Sequence, residues 1–115
     1  MNTDAFHYYT RLEKVKCFVE ENYPEEISLQ EAANVACMER SSFSRFFGDK
    51  VGVSFTQWLR RIRIAKAKEL MKRNNLSIME ITYAVGFSNL RTFERVFKQL
   101  TELTPLQFKK AVRPS

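Results

Sequence analysis

Glycine and proline are scarce in this sequence, with three of each in 115 residues. Turn-rich β structure depends on both, and no alternating apolar segment is bounded by Gly or Pro turns. The scarcity therefore favours long helices. Hydrophobic residues make up 44% of the chain and include ten phenylalanines, which is enough for a core. We predict an all-α fold.

Cysteine and histidine are scarce as well. Cys17 and Cys37 lie far apart without a CxxC pair, and His7 is the only histidine. In a reducing compartment this pattern favours two small buried thiols over a disulfide or a metal site. No Ser/His/Asp, Cys/His or paired-carboxylate grouping suits catalysis. We therefore predict that the protein is not an enzyme and uses no cofactor or metal.

Long apolar segments are also missing. The sequence shows neither a charged-then-apolar leader nor an apolar run long enough to cross a bilayer. We therefore expect a soluble, cytoplasmic protein that does not act at a membrane. A length of 115 residues fits one ordinary domain or two very small ones.

The net charge of +6 is divided unevenly along the chain. Residues 1–31 contain three Lys/Arg and seven Asp/Glu, whereas residues 32–115 contain sixteen Lys/Arg and six Asp/Glu. A basic segment of this density is typical of a protein with a polyanionic partner. The alternative is a solvated helix surface, and charge alone does not decide between the two.

The chain repeats itself at a spacing of about 50 residues, a period that indicates a duplicated supersecondary unit. Residues 43–47 recur as residues 93–97, each copy having arginine at its third position. Residues 28–31 recur as residues 77–80, both as Ser-x-x-Glu. What one unit binds, the chain can therefore bind at two places on one partner.

Each repeat predicts a helix, a tight turn and a second helix, which is the helix-turn-helix pattern. The Ser-x-x-Glu sequence predicts a capping box, in which serine and glutamate side chains accept hydrogen bonds from free amides at the helix start. Ala33 and Thr82 are the small residues against which the second helix packs. Phe43 and Phe93 close the two cores.

Seven helices are predicted in all: about residues 8–22, 28–36, 40–50, 55–73, 77–85, 90–100 and a short helix capped by Thr104. The helix over 55–73 contains seven cations and one acid, with a predicted buried stripe of Phe55, Leu59, Ile62, Ala65 and Leu70. We expect it to act as a rigid connector. This divides the chain into residues 1–53 (an acidic helix and the first helix-turn-helix), 54–74 (the connector) and 75–115 (the second helix-turn-helix and a C-terminal helix).

Helical periodicity gives the second helix of each unit a core side and an outward side. In the first unit Phe43, Phe46 and Phe47 share one side, with Lys50 at its end, and in the second unit Phe93, Val96, Phe97 and Leu100 face the core. The predicted outward sides are Ser41, Ser44, Arg45 and Gly48 in the first unit, and Arg91, Glu94, Arg95 and Lys98 in the second.

The outward groups suit double-stranded DNA. Arginine can bond guanine O6 and N7 bidentately, and glutamate can accept from cytosine N4. Arg45 and Arg95 are the favoured contacts, the alternative being an ion pair or a phosphate contact without sequence information. Glu94 is either a cytosine contact, a solvated acid or a partner that orients a neighbouring arginine, and base contact by Arg91 is equally open. Leu90, at its helix start, suits a thymine methyl.

From about residue 10 to residue 112 the chain resembles the DNA-binding domain of the AraC/XylS family of bacterial transcription regulators. The residues that carry the resemblance are Ala84-Val85-Gly86-Phe87-Ser88, Phe93-x-Arg95-Val96-Phe97, Leu103-Thr104-Pro105-x-x-Phe108, Ser28-Leu29-x-Glu31-x-Ala33 and Trp58-Leu59-Arg60. The length is similar to that of stand-alone members, and other members carry such a domain at the C-terminus of a longer regulator.

The resemblance implies two helix-turn-helix units joined by a long helix, with the third and sixth helices in adjacent major grooves. It also implies monomeric recognition of an asymmetric site, and it favours activation through contact with RNA polymerase. The positions that fall where family members touch bases are Ser41, Ser44, Arg45, Leu90, Arg91, Glu94 and Arg95. To these we add Arg40 and Lys98 as DNA-binding candidates, and Ser28, Arg60, Arg63 and Ser77 as phosphate-contact candidates.

The sequence departs from the family pattern at three turn positions. Cys37 and Glu102 stand where glycine is usual, and Glu39 stands where small or hydroxyl residues are usual. Because Ser41 and Ser44 are short, we expect weaker or water-mediated base contact from the first unit. The competing functional hypothesis is a basic helical module that binds an acidic protein.

Overall fold

A computed structural model of the chain describes residues 1–73 and 75–112. Within these residues there are eight α-helices and no β-strand. The helices are α1 (Ala5–Tyr8), α2 (Thr10–Asn22), α3 (Leu29–Val35), α4 (Arg40–Val51), α5 (Phe55–Arg73), α6 (Ile78–Ala84), α7 (Leu90–Thr101) and α8 (Pro105–Val112). The predicted all-α class is confirmed, with one helix more than the seven predicted.

The additional helix is α1, which the sequence pattern did not separate from α2. Tyr9 lies between the two helices with extended backbone angles (φ −102°, ψ 117°) and occupies the N-cap position of α2. The predicted start of the first long helix near Tyr8 was therefore wrong. A helix of four residues is too short to show a 3.6-residue period, and α1 is held instead by burial of Phe6.

The chain divides into two compact units, Met1–Leu59 (unit 1) and Arg60–Ser115 (unit 2). The boundary lies within α5, so the first part of that helix belongs to unit 1 and the rest to unit 2. The functional division of the chain at residues 53 and 74 stays a prediction.

The core of unit 1 is built mainly from aromatic rings. Phe47 lies at its centre, with its ring centroid 5.7 Å from that of Phe43, 5.6 Å from Phe55 and 5.5 Å from Trp58. Phe6 stacks on Trp58 at 4.8 Å. Edge-to-face and offset contacts at such distances add to the free energy gained by burying the rings. Phe43 and Phe47 on α4 are thereby fixed against α1 and the first part of α5.

The core of unit 2 contains a row of four phenylalanines. The ring centroids of Phe87 and Phe93 are 5.3 Å apart, those of Phe93 and Phe97 5.6 Å, and those of Phe97 and Phe108 5.5 Å. Lys68 Nζ lies 5.8 Å from the Phe108 centroid, which is within the range of a cation–π contact. The row joins the turn before α7, α7 itself and α8.

The predicted single buried stripe on α5 was wrong, although its bounds were right. Phe55 and Leu59 are buried as predicted, but Ala65 is exposed and Ile62 and Leu70 are only half-buried. The residues buried instead are Trp58, Ile64, Ala67 and Met71. No single stripe describes this helix because its first part packs in one unit and the remainder in the other.

The prediction that Leu100 faces the core was also wrong, and the aromatic side of α4 ends at a residue other than Lys50. Lys50 is exposed, and Val51 takes the buried position at the end of α4. Leu100 is 37% exposed, whereas Pro105 at the start of α8 is fully buried. The helical period places Leu100 on the same side of α7 as Phe93 and Phe97. Phe97 is nevertheless the last core residue of α7, because α8 covers the core beyond it.

The prediction of two buried thiols was wrong, since Cys17 and Cys37 are both exposed. Cys17 lies on the solvent side of α2, where Val15 and Val19 are the buried neighbours. Cys37 lies in the turn between α3 and α4 with a positive φ of 58°.

Among residues 1–73 and 75–112, each unit contains two turn residues with positive φ, and one residue of each pair is glycine. In unit 1 they are Cys37 (58°) and Gly52 (93°), and in unit 2 they are Gly86 (98°) and Glu102 (67°). Gly52 and Glu102 are the left-handed C-caps of α4 and α7. Cys37 and Glu102 therefore adopt the backbone conformation for which glycine is the usual residue.

We expect Cys37→Gly to stabilise the protein. A left-handed non-glycine residue costs about 1–2 kcal/mol, and the larger conformational freedom of glycine in the unfolded chain offsets about 0.4–1 kcal/mol of the relief. The free energy of unfolding should rise by up to about 1 kcal/mol in urea titration. Cys37→Ala is the control, because it removes the thiol and keeps the strain. Equal stability of the two variants would contradict the strain argument.

Candidate nucleic-acid interface

The first helix of each unit begins with the predicted capping box. In unit 1 the Glu31 N–H donates to Ser28 Oγ at 3.0 Å, and the Ser28 N–H donates to Glu31 Oε1 at 3.2 Å. In unit 2 the Glu80 N–H donates to Ser77 Oγ at 3.0 Å, and the Ser77 N–H donates to Glu80 Oε1 at 3.2 Å. Both predicted boxes are confirmed, and they fix the starts of α3 and α6.

Two further helices begin in the same way with glutamine in place of glutamate. Before α5, Ser54 and Gln57 exchange backbone-to-side-chain bonds of 3.1 Å each. Before α8, the Thr104 N–H donates to Gln107 Oε1 at 2.9 Å and the Gln107 N–H donates to Thr104 Oγ1 at 3.2 Å. The predicted N-cap role of Thr104 is confirmed.

The turn that leads into the second helix of each unit is closed by equivalent backbone bonds. The Met38 N–H donates to the Ala33 oxygen at 2.9 Å, and the Phe87 N–H donates to the Thr82 oxygen at 3.1 Å. Ala33 and Thr82 are fully buried, as the pattern predicted. The Thr82 hydroxyl donates to the Ile78 oxygen at 2.8 Å, so burying this polar group leaves no unsatisfied donor.

The starts of α4 and α7 are not equivalent. Asn89 caps α7, its Oδ1 accepting from the Thr92 N–H at 2.8 Å. Glu39 occupies the N-cap position of α4 but makes no side-chain capping bond. The extra residue in the second turn thus supplies a cap that unit 1 lacks.

The outward side of α4 is polar and exposed. Arg40, Ser41, Ser44 and Arg45 all lie on the surface, and the opposite side holds the fully buried Phe43 and Phe47. Gly48 extends this side by one turn, and a Cβ placed there would meet nothing within 4 Å. The structure therefore brings the predicted DNA-binding residues of unit 1 onto one open helix face.

The outward side of α7 lines an open cleft of about 490 Å³. Its lining contains four predicted residues and two that the sequence pattern did not single out: Arg91, Glu94, Arg95, Lys98, Gln99 and Thr104. Leu90, the first residue of α7, is half-buried beside this face. The cleft collects three cations, one carboxylate, an amide and a hydroxyl, all of which suit the bases and phosphates of DNA.

Gln99 and Thr104 were missed for different reasons. Gln99 lies four residues after Arg95, a spacing that places both on neighbouring parts of one helix surface. The helical period alone was therefore enough to find it. Thr104 belongs to the start of α8, and only the packing of α8 against α7 brings it into the cleft.

The four phosphate-contact candidates lie in two kinds of surroundings. The hydroxyls of Ser28 and Ser77 accept from helix amides beside the carboxylates of their capping boxes, which competes with contact to a phosphate. Arg60 and Arg63 lie half-buried on α5. Burial lowers the pKa of the Arg63 guanidinium, and the like charge of Arg60 lowers it further. A phosphate near this pair would offset that repulsion.

In residues 1–73 and 75–112, no helix is long and apolar enough to span a bilayer. In the same range, no three His, Cys, Asp or Glu side chains group in a way that would hold a metal ion.

Comparison with known proteins points to one family. A family model described as a helix-turn-helix domain matches residues 32–111. The HTH-type transcriptional regulator YfiF of Bacillus subtilis is 33% identical over 104 residues, which are 90% of this chain and 33% of that protein. The chain spans about a third or less of the length of the curated relatives it matches first.

Solved structures share the fold. The C-terminal domain of AraT, a response regulator from Geobacillus stearothermophilus, superposes with a TM-score of 0.86 at 24% identity, over 93% of this chain and 89% of that one. The DNA-binding domain of the global transcriptional factor AdpA, solved in complex with a target DNA, gives a TM-score of 0.84 at 25% identity, over 90% and 93% of the chains.

The different helix starts lead to a prediction about stability. Asn89→Ala should lower the free energy of unfolding by about 1 kcal/mol, because it removes the side-chain cap at the start of α7. The matched control is Glu39→Ala at the equivalent position of α4, where no capping bond is lost and the change should be near zero. Thermal or urea unfolding measures both. Equal losses in the two variants would contradict the assigned caps.

Proposed function

Since the chain belongs to the AraC-type helix-turn-helix family of transcription regulators, we propose that it binds a specific double-stranded DNA site through α4 and α7. The observation that carries this proposal is the cleft on α7, where three cations and one carboxylate share an exposed face behind which the helix is anchored by buried aromatic rings. The AdpA domain, solved with a target DNA, has a similar fold and supports it.

The roles within the cleft follow from side-chain chemistry. Arg91 and Arg95 have the forked donors that bond guanine O6 and N7, and Glu94 can accept from cytosine N4. Leu90 at the helix start is suited to contact a thymine methyl. Lys98, one turn further along, is a point charge suited to a phosphate. In this proposal α7 provides both base discrimination and backbone contact.

The face of α4 offers less chemistry for base recognition. Arg45 is the long donor group suited to bases on this face, and Ser41 and Ser44 reach bases only at short range or through water. Arg40 at the helix start is suited to a phosphate. We therefore propose that unit 2 discriminates more between DNA sequences and that unit 1 contributes relatively more to affinity.

The repeated unit suggests how one chain reads an asymmetric site. We propose that α4 and α7 enter successive major grooves, with contacts about 34 Å apart along the duplex. The basic residues of α5, of which Arg60 and Arg63 are the candidates, would then neutralise phosphates. We further propose that a single chain suffices for binding, and that the protein activates transcription through contact with RNA polymerase.

DNA binding by this protein should weaken steeply with salt. Each phosphate neutralised by Lys or Arg contributes about −0.9 to the slope of log K against log salt concentration. Fluorescence anisotropy with a random duplex at several salt concentrations measures that slope. The absence of binding at low salt would contradict the proposal, and the alternative of a module for an acidic protein would then be favoured.

The arginines on the outward faces should carry specific affinity. Selection from a random duplex pool supplies the preferred site, and Arg45→Ala and Arg95→Ala should each cost roughly 1–3 kcal/mol on it. Arg11→Ala is the control, because Arg11 is an exposed arginine on α2 and belongs to neither α4 nor α7. If both test variants bind the selected site as the parent does, the assigned faces are wrong.

A further inference from the structure

The first residues of the chain contact the end of α4. The Asn2 N–H donates to the Val51 oxygen at 2.7 Å, and Asn2 Nδ2 donates to the Lys50 oxygen at 3.3 Å. These carbonyls belong to the last turn of the helix, whose oxygens have no partner within the helix itself. Asn2, which is distant in sequence, thus provides hydrogen-bond donors to two carbonyls in the last turn of α4.

The residues that follow Asn2 pack against the inner side of the same helix. Phe6 is 4% exposed, and its ring lies 5.8 Å from that of Phe47 on α4. The Tyr9 ring lies 5.4 Å from that of Phe46, and Lys50 Nζ lies 5.5 Å from the Tyr9 centroid. Hydrogen bonds and ring contacts from one short segment therefore hold α4 from Phe46 to its end.

The end of α7 is completed by residues that are close in sequence. The Thr101 hydroxyl donates to the Phe97 oxygen at 2.8 Å and accepts from the Leu103 N–H at 3.2 Å, so local residues complete the last turn of α7. The start of α7 is also capped by Asn89, whereas Glu39 gives α4 no capping bond. With local residues alone, α4 would be fixed less firmly than α7 at both ends.

We propose that residues 2–9, which we name the N-terminal segment, are a positioning element of the first DNA-binding surface. The segment lies outside residues 32–111, the range matched by the helix-turn-helix model. It holds the last turn of α4 and thereby sets the angle at which Ser44 and Arg45 meet the bases. This inference rests on the proposed DNA-binding function. Base contacts require accurate geometry, whereas the attraction to phosphates tolerates small shifts.

The test uses two substitutions at one position. Asn2→Pro removes the backbone donor to Val51, and Asn2→Ala removes only the side-chain bonds. Dissociation constants are measured for the duplex selected by the parent protein and for a random duplex of equal length, at a temperature at which circular dichroism shows every variant folded. The selectivity of Asn2→Pro should fall about fivefold, with the random duplex bound as before, and Asn2→Ala should stay closer to the parent.

Single base-pair changes in the selected duplex localise the effect. Asn2→Pro should lose discrimination at the base pairs that Arg45→Ala also affects, and it should keep discrimination at the base pairs that depend on Arg95. A general loss of stability would instead reduce binding at both sets. The proposal would be overturned if Asn2→Pro kept the selectivity of the parent, or if it lost discrimination evenly over the whole site.

Hydrogen exchange separates failure of the positioning role from failure of the DNA-binding function. Without DNA, the amides at the end of α4 (residues 49–52) should exchange faster in Asn2→Pro than in the parent, and those of α7 should be unchanged. Unchanged exchange at α4 would overturn the positioning role whatever the protein binds. A parent protein that binds no DNA would overturn the proposed function, and the DNA-positioning role with it.

Discussion

The interaction on which the rest of the structure depends is the packing of aromatic rings beneath α4 and α7. Phe43 and Phe47, like Phe93 and Phe97, lie one helical turn apart and are fully buried. Burying one such side chain contributes about 1.5–3 kcal/mol, so each pair outweighs any single polar contact on the outer face. The polar groups on the outer faces can therefore differ between the two units, because they contribute little to holding the helices.

Much of this arrangement could be predicted from the sequence, because the signals that set it are local. The Ser-x-x-Glu boxes marked the starts of α3 and α6, and the helical period separated the inner and outer sides of α4 and α7. What failed depended on tertiary contacts. The α5 stripe was wrong because two cores share that helix, and α1 was missed because four residues are too few to show a helical period. Gln99 was within reach of the same periodicity, whereas Thr104 enters the cleft only through the packing of α8.

The two units are copies in pattern but differ in how each second helix is held. In unit 2, Asn89 and Thr101 complete the ends of α7 with bonds to residues close in sequence. In unit 1, Asn2 donates the hydrogen bonds that complete the end of α4. One copy of the duplicated unit therefore depends on a segment outside the repeat. The copy with fewer groups proposed to contact bases is also the one whose second helix is held by a residue distant in sequence.

The four capping boxes also differ in charge. Those of α3 and α6 use Glu31 and Glu80, whereas those of α5 and α8 use the neutral Gln57 and Gln107. A glutamate would form the same bonds, and its negative charge would be stabilised by the positive end of the helix dipole. At the start of α8, however, it would add a negative charge beside the cleft that contains Arg91, Arg95 and Lys98. Glutamine keeps the cap and leaves the electrostatic potential of the cleft positive toward an approaching polyanion.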